Sequence, residues 1–381
     1  MMDERAYWLG FHMVPGVGPA RFRLLLQAFG SMSAAWEAPA DSLREAGLDR
    51  RTVEQIASAR RRLDLERECE RLAERGITLL TWDDPQYPRL LRAVDSAPPV
   101  LFVQGELTPA DEWALAVVGT RYATGYGREV TRRLVTPLAK MGVTIVSGLA
   151  LGIDGEAHRA ALDAGGRTIA VLACGLDQIY PPEHRRLAQE IVEHGALLSE
   201  YPLGTLPERR NFPPRNRLIS GLARATLVVE AGSQSGALIT ARFAAEQGRD
   251  VFAVPGSILS PRQSGTNWLI QEGAIPVVSH EDIVRCLQLE MLPAKQEAQR
   301  VLDISPAESA LLACLGEEPM HIDELGRRSG LTIDVVSSTL TIMELKGLVR
   351  QMGGMQYVST VQTPSARPAG PSKPLRERGS L

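Results

Sequence analysis

The sequence predicts an α/β protein built on an extended Rossmann-like, doubly wound, mostly parallel sheet. Three observations predict this class. Apolar runs of strand length alternate with helical segments from 113 to 278, which is typical of a parallel sheet. Residues 1–75 have only helical patterns, and residues 305–360 contain three helices and a hairpin in the order of a winged helix. We expect a helical domain over 1–75, the sheet domain over 76–288, a linker over 289–303, a winged-helix domain over 304–360 and a disordered tail over 361–381.

The N-terminal segment contains the helical patterns YWLGFHM, PARFRLLLQAFG and RTVEQIASARRRLDLERECERLAERG, and we interpret the last as a single helix. Between the first two, Val14–Pro19 resembles the hairpin of a helix-hairpin-helix element. In such a hairpin, glycines let backbone N–H groups approach a DNA phosphate. We therefore expect a small domain similar to a sterile alpha motif or helix-hairpin-helix, with Gly16 and Gly18 as a secondary DNA contact. The alternative is an ordinary glycine turn between core helices.

The strand candidates follow in order. ITLLTW and VLFVQG occupy a proline-rich adaptor that begins at Gly76, and ALAVVG, TIVSG, RTIAVLACG, ALLSEY, TLVVEA, DVFAVPG and AIPVV alternate with helices. Ligands of such sheets bind at the carboxyl ends of the strands. Two of these ends carry the small or polar sets Gly119-Thr120-Arg121 and Ser147-Gly148, and we expect such turns to line one crevice.

A cationic segment precedes the strand TLVVEA. Between Thr205 and Arg224 there are five arginines and one acid, whereas the whole chain has a net charge of −3. Pro213-Pro214 is expected to hold Phe212 and Pro213 extended, so that the following arginines lie on a stiff arm. We expect Arg121, Arg215 and Arg217 to converge on one anionic ligand.

A glycine-rich turn, Gly232-Ser233-Gln234-Ser235-Gly236, links TLVVEA to the helical run ALITARFAAEQG. A turn from strand to helix presents backbone N–H groups and the positive end of a helix dipole to an anion. The alternative is that Gly232, Ser235 and Gly236 only make a tight βα turn.

Composition and motifs exclude several classes. The sequence contains no apolar run of about 20 residues and no signal-like N-terminus, so we expect a soluble protein that is not exported. No GxxxxGK[ST] loop occurs, and in the turn GTRYATGYG the tight-turn glycine pair of a dinucleotide site is replaced by GTR. The four cysteines form no CxxC. We therefore expect a cytoplasmic protein with no cofactor and no metal site.

One enzymatic alternative remains open. Asp154 and His158 lie four residues apart on a predicted helix, a spacing that allows an acid–base pair. A nucleotide- or nucleoside-processing enzyme would use them in the same crevice. The structural interpretation, an N-capping aspartate with a core histidine, is favoured because no nucleophile elbow accompanies them.

The winged unit is acidic. Residues 301–360 contain eight acids and four basic residues, and Thr332–Leu345, which corresponds to the DNA-reading helix, has no Lys or Arg. Insertion of such a unit into a groove would bring carboxylates to phosphates. We expect it to bind protein or to pack internally.

Taken together, the motifs resemble one family, the DNA-processing protein A (DprA/Smf) family. The resemblance is found in VVGTR, SGLALGIDGEAH, VLACGLDQIYPPEHRRL, LLSEYPLGTLPERRNFPPRNRLISGLA, LVVEAGSQSGALITA, GRDVFAVPGS and SGTNWLIQEGA, and covers about Gly76 to Val278. Threonine replaces serine in the GSR-type turn and keeps the hydroxyl. Pro214 occupies a position that is polar or basic in some relatives, and no contact is assigned to it.

The resemblance implies a non-catalytic, homodimeric protein that binds single-stranded DNA through its Rossmann domain. It further implies that the protein protects the incoming strand and loads the RecA recombinase onto it during natural transformation. The expected contacts with single-stranded DNA come from the matching motif positions and from the turns described above. They are Gly119, Thr120, Arg121, Ser147, Gly148, Asn211, Phe212, Arg215, Asn216, Arg217, Gly232, Ser235 and Gly236.

Overall fold

The computed structural model describes residues 3–289, 305–315, 319–345 and 348–359. The chain divides into two compact units, residues 1–293 and 294–381, which are described separately. The predicted linker beyond Leu289 and the predicted tail lie outside the described residues. No helix within the described ranges is both long enough and apolar enough to span a bilayer.

The first unit is built on a nine-stranded sheet in the order β1-β2-β6-β5-β4-β3-β7-β8-β9. The strands from β3 to β9 are parallel to one another, whereas β1 and β2 are antiparallel additions beside β6. The predicted doubly wound sheet is thus confirmed. The strands are β1 Ile77–Thr81, β2 Val100–Gly105, β3 Ala114–Val118, β4 Thr144–Ser147, β5 Thr168–Val171, β6 Gly195–Ser199, β7 Ala225–Val228, β8 Asp250–Ala253 and β9 Ile275–Pro276.

Helices cover both faces of this sheet. They are α1 Glu4–His12, α2 Pro19–Phe29, α3 Met32–Glu37, α4 Ala40–Glu45, α5 Arg50–Arg62, α6 Leu65–Ala73, α7 Arg89–Arg92, α8 Gly125–Lys140, α9 Ile153–Asp163, α10 Arg185–His194, α11 Phe212–Gly221, α12 Ala237–Glu246, α13 Ser264–Gln271 and α14 His280–Cys286.

Alternation along β3 shows how the two faces are used. Leu115 and Val117 pack with α8, α9 and α14 on one face, whereas Ala116 and Val118 pack with α11, α12 and α13 on the other. Both faces are buried, which explains why the strands appear as continuous apolar runs.

The N-terminal helices α1–α6 share a hydrophobic core with the sheet. Trp8, Phe11 and Phe22 are buried in the same cluster as Phe102 of β2 and Leu197 of β6. The single helix expected from RTVEQ to AERG was wrong. It is two helices, because Asp64 accepts a hydrogen bond from the Arg67 N–H and caps a new helix, α6.

The second unit has the predicted winged-helix arrangement. Helices α15 Pro306–Cys314, α16 Ile322–Ser329 and α17 Ile333–Leu345 surround a small apolar core that includes Leu311, Leu325 and Leu340. A three-stranded sheet completes the unit, formed by β10 Met320–His321, β11 Val349–Gly353 and β12 Gln356–Ser359.

Candidate nucleic-acid interface

A crevice of about 790 Å³ opens at the carboxyl ends of β3 and β7. These strands are neighbours, but the chain continues from β3 toward β4–β6 on one side and from β7 toward β8 and β9 on the other. This is the topological switch point at which doubly wound sheets bind ligands. The crevice brings together most of the residues predicted from sequence, namely Gly119, Thr120, Arg121, Phe212, Arg215, Asn216, Gly232, Ser235 and Gly236.

The turn after β3 is held rigidly against the end of β7. Gly119 has no room for a side chain, since an added Cβ would lie 2.9 Å from the Glu230 carbonyl oxygen. The Thr120 N–H donates to the same carbonyl at 2.7 Å. The buried carboxylate of Glu230 accepts from the backbone and hydroxyl of Thr124, both at 2.9 Å. Arg121 is therefore an exposed cation on a fixed turn.

Gly152 supports this turn from the other side. Its φ of +81° and ψ of −126° are accessible mainly to glycine, and an added Cβ would lie 2.2 Å from the Thr120 carbonyl oxygen. We predict that Gly152→Ala destabilises the protein by about 3 kcal/mol or more, because backbone strain and a backbone clash add. The loss can be measured as the difference in the free energy of unfolding in urea between the variant and the native protein.

Gly165→Ala is the matched control. Gly165 also has a positive φ, +72°, but an added Cβ would meet no atom within 4 Å. The Gly165→Ala variant should therefore lose only about 1–2 kcal/mol of stability, the cost of placing a residue with a side chain in the left-handed region. Equal losses in the two variants would show that Gly152 does not brace the turn.

The motif NFPPRNR forms the first turns of α11. The expected extended arm was wrong, since Phe212 has helical angles of −68° and −47°. Proline tolerates the first turn of a helix because its missing N–H would have no intrahelical partner there. The motif therefore points its side chains in several directions around one helix.

Aromatic and cationic side chains line the crevice together. Phe212 is half-buried, with the Arg121 guanidinium 5.0 Å from its ring centre and the Tyr180 ring edge-on at 5.8 Å. Tyr122 is 80% exposed, and Arg209 is exposed with no ion-pair partner among the described residues. Sequence reasoning missed Tyr122, Tyr180 and Arg209 as site residues, although Arg209 and Tyr122 directly adjoin the motifs that it singled out.

Arg215 lies beneath the crevice surface. Its side chain is buried, and Nη1 donates to the carbonyl of Gly148 at 2.8 Å and to that of Val171. Burial, partly offset by nearby Asp154, lowers the pKa of Arg215 to about 10. Arg215 is thus engaged in internal contacts. It shares the crevice with Arg121, but Arg217 lies in a separate groove, so the three arginines do not converge there as predicted.

Asp154 forms the other half of this buried cluster. Its carboxylate accepts from the N–H groups of Gly148 and Ala150, at 3.2 and 3.4 Å. Burial raises the pKa of Asp154 to about 6 despite the opposing effect of Arg215. His158 is fully buried and bonds Thr168 at 2.7 Å, and burial lowers its pKa to about 3. The two side chains are therefore engaged with different partners.

Four predicted contact residues do not line the crevice. Ser147 is buried and donates to the Val117 carbonyl at 2.6 Å, and the Gly148 peptide is held between Asp154 and Arg215. Asn211 turns its amide toward the Leu206 carbonyl, at 3.4 Å. The fourth, Arg217, lies in a separate groove beside Gly16 and Gly18.

Asn216 links α11 to the glycine-rich turn. Its Nδ2 donates to the Gly236 carbonyl at 3.4 Å, and its Oδ1 accepts from Arg215 Nε at 3.2 Å. Ser235 Oγ accepts from the Ala237 N–H at 3.3 Å, at the start of α12. The N-terminus of α12 therefore faces the crevice with its partial positive charge.

Comparison with known proteins identifies the family. The profile of the family described as DNA recombination-mediator protein A matches residues 78–288, and that of the DprA winged helix domain matches residues 293–355. Protein Smf of Synechocystis sp. is 39% identical, covering 93% of this chain and 98% of the relative. Protein Smf of Escherichia coli is 42% identical, covering 82% and 85%.

Two solved structures are similar as well. DNA processing protein A from Streptococcus pneumoniae has 34% identity and a TM-score of 0.65, covering 74% of this chain and 97% of that one. A DNA processing protein A from Helicobacter pylori, described for its single-stranded DNA binding mode, has 31% identity and a TM-score of 0.51, covering 56% and 96%. With the family profile, the relatives and the fold in agreement, this chain belongs to the DNA recombination-mediator protein A (DprA/Smf) family.

Proposed function

We propose that this protein is a non-catalytic mediator that binds single-stranded DNA in the crevice between β3 and β7. The observation that supports this most is the pairing of exposed cations, Arg121 and Arg209, with the accessible aromatic rings of Phe212, Tyr122 and Tyr180. Sites for single strands combine cations along the backbone with rings on which bases stack.

The recessed position of Phe212 favours a single strand over a duplex. Its half-buried ring contacts Tyr180 and Arg121 inside the crevice, so a base must leave its own stack to reach it. A single strand does this at little cost, whereas a duplex must first be opened. The single-strand binding named for the Helicobacter pylori relative is consistent with this proposal.

A titration tests the proposal. A fluorescent oligonucleotide and its duplex should be titrated at two salt concentrations, about 50 and 200 mM. We expect tighter binding of the single strand, weak dependence on its sequence, and an affinity that falls with salt as counterions are released. Equal or tighter duplex binding would contradict the assignment.

Catalysis has one remaining candidate group. Asp154 reaches the crevice wall, and its pKa of about 6 would suit an acid–base role in a nucleotide-processing enzyme. We assign it instead to the buried cluster with Arg215. Turnover of any member of a nucleotide and nucleoside panel, abolished in Asp154→Asn, would overturn the non-catalytic assignment.

Family membership supports the rest of the proposed role. We infer that the protein acts in the cytoplasm, protects incoming single strands and loads RecA onto them during natural transformation. Adding the protein should shorten the lag of RecA filament assembly on a strand coated with single-strand binding protein and should slow nuclease digestion of that strand. Unchanged kinetics in both assays would remove this part of the proposal.

We also propose a homodimer formed through the Rossmann domain. An apolar groove of about 760 Å³ lies at the β9 edge of the sheet, with Ile239 and Trp268 partly exposed in it. Exposed apolar surface of this kind is typical of interfaces. Light scattering should give a dimer for the native chain and a monomer for Trp268→Arg; a native monomer at micromolar concentration would contradict it.

A further inference from the structure

A second concavity of about 450 Å³ lies between the hairpin of residues 14–19 and the first turn of α11. We call it the hairpin groove and define it by residues 14–19, Glu200, Pro214 and Arg217. The same helix separates the two concavities: Pro213 and Asn216 line the crevice, and Pro214 and Arg217 line the hairpin groove. The two motifs that stood out in the sequence, PGVGP and NFPPRNR, thus meet in one place.

An ion pair between Arg217 and Glu200 lines this groove. Their side chains are only 14% and 13% exposed. Arg217 Nη1 and Glu200 Oε1 are buried and have no hydrogen-bond partner among the described residues. A buried donor and acceptor left unpaired are unfavourable, and a ligand that bonded both would relieve this.

The chemistry of this pair selects the ligand class. The pair carries one unpaired donor and one unpaired acceptor, and a planar group that itself carries both, such as the hydrogen-bonding edge of a nucleobase, would complement them. A phosphate has acceptors only at its charged oxygens and would be repelled by the Glu200 carboxylate. Prolines on both sides, Pro19 and Pro214, provide apolar surface against which a base can pack.

We propose that the hairpin groove holds a nucleobase of the same DNA strand that occupies the crevice, so that the strand crosses the start of α11. This inference rests on the proposed function of the crevice. Pro213 and Pro214 are exposed there and leave the path across the helix open. The groove extends the footprint of the strand rather than forming a separate binding activity.

Gly18 offers a sharp test. It is the N-cap of α2 with φ of −102° and ψ of −173°, and an added Cβ would meet no atom within 4 Å. Asp and Asn are both preferred at N-caps, so Gly18→Asp and Gly18→Asn should fold. They have nearly the same shape, but only the first adds a negative charge at the groove.

The full-length protein and its variants should be titrated with single strands from about 4 to about 16 nucleotides, the range of site sizes found for OB folds. The native protein should gain affinity with length beyond the crevice. Gly18→Asp should bind long strands about fivefold more weakly than Gly18→Asn through charge repulsion, and this ratio should fall toward one for short strands. Gln27→Glu, which adds the same charge at an exposed position of α2 outside the groove, should bind like the native protein. A native affinity that does not rise with length, or a Gly18→Asp loss that is absent or equal at all lengths, would overturn the inference.

A second experiment tests whether the hairpin groove holds a nucleobase. Long strands whose nucleotides outside the crevice footprint are abasic should lose the gain in affinity that comes with length. A full gain from the abasic strands would show that phosphates rather than bases occupy the groove, and would overturn the assignment. Binding of short strands by the native protein tests the crevice alone. Failure of the crevice proposal can therefore be distinguished from failure of the hairpin-groove proposal.

Discussion

Replacing Arg121 and Arg209 together by glutamine should weaken single-stranded DNA binding roughly hundredfold at low salt. Both cations are exposed in the crevice, and neither forms an ion pair within the described residues. Hydrogen bonds to charged groups contribute about 1.5–3 kcal/mol each, and about 1.4 kcal/mol is tenfold in affinity. The plot of log affinity against log salt should become shallower by about 1.4, since each phosphate contact on a single strand contributes about 0.7.

Arg210→Gln is the matched control for this variant. Arg210 neighbours Arg209 in the chain and is similarly exposed, but it pairs with Glu208 at 2.7 Å and does not line the crevice. Its replacement should change the affinity less than twofold, the scale of an exposed ion pair. If Arg210→Gln weakened binding as much as the double variant, general positive charge rather than the crevice would explain the affinity.

Arg215→Met should destabilise the first unit by about 3–5 kcal/mol, the usual effect of removing one partner from a buried charged pair. The substitution leaves Asp154 buried without its counter-charge and the carbonyls of Gly148 and Val171 without a donor. All five tryptophans precede residue 294, so tryptophan fluorescence during urea unfolding reports this unit alone. Arg210→Met, at an exposed site, should change the stability by less than about 0.5 kcal/mol.

The loss in Arg215→Met should depend on pH. The pKa of Asp154 in the folded protein, about 6, lies above its ordinary 3.8, so the protonated form favours folding. This contribution is fully present below about pH 4 and disappears as the pH rises through about 6. The deficit of Arg215→Met should therefore be larger at pH 7.5 than at pH 5, and adding Asp154→Asn should recover part of it. A pH-independent deficit would exclude the unpaired carboxylate as its cause.

The strands and the crevice are predictable from sequence because their signals are local. Each strand after Trp113 is a short apolar run, and the turns at Gly119 and Gly232 follow two of them directly. The rule that ligands bind at the carboxyl ends of strands then places both turns in one crevice.

The roles of individual side chains were harder to predict because they depend on tertiary contacts. Arg215 and Arg217 are two residues apart on α11, so they point in different directions, one into the core and one toward the hairpin groove. An arginine in a basic motif is expected at the surface, and only its tertiary contacts, the carbonyls of Gly148 and Val171 and the nearby charge of Asp154, explain why Arg215 is buried. The aromatic ring of Tyr180 belongs to a distant segment, and its contact with Phe212 has no local signal.

Photo-crosslinking shows which side chains of the protein contact the bases of a bound strand. A single strand carrying halogenated pyrimidines should be irradiated with the full-length protein and the attached peptides identified by mass spectrometry. We predict crosslinks to Tyr122, Tyr180 or Phe212, and their loss in Arg121→Gln/Arg209→Gln. Crosslinks confined to residues 305–359, with none in the crevice, would show that the winged unit and not the crevice binds the strand.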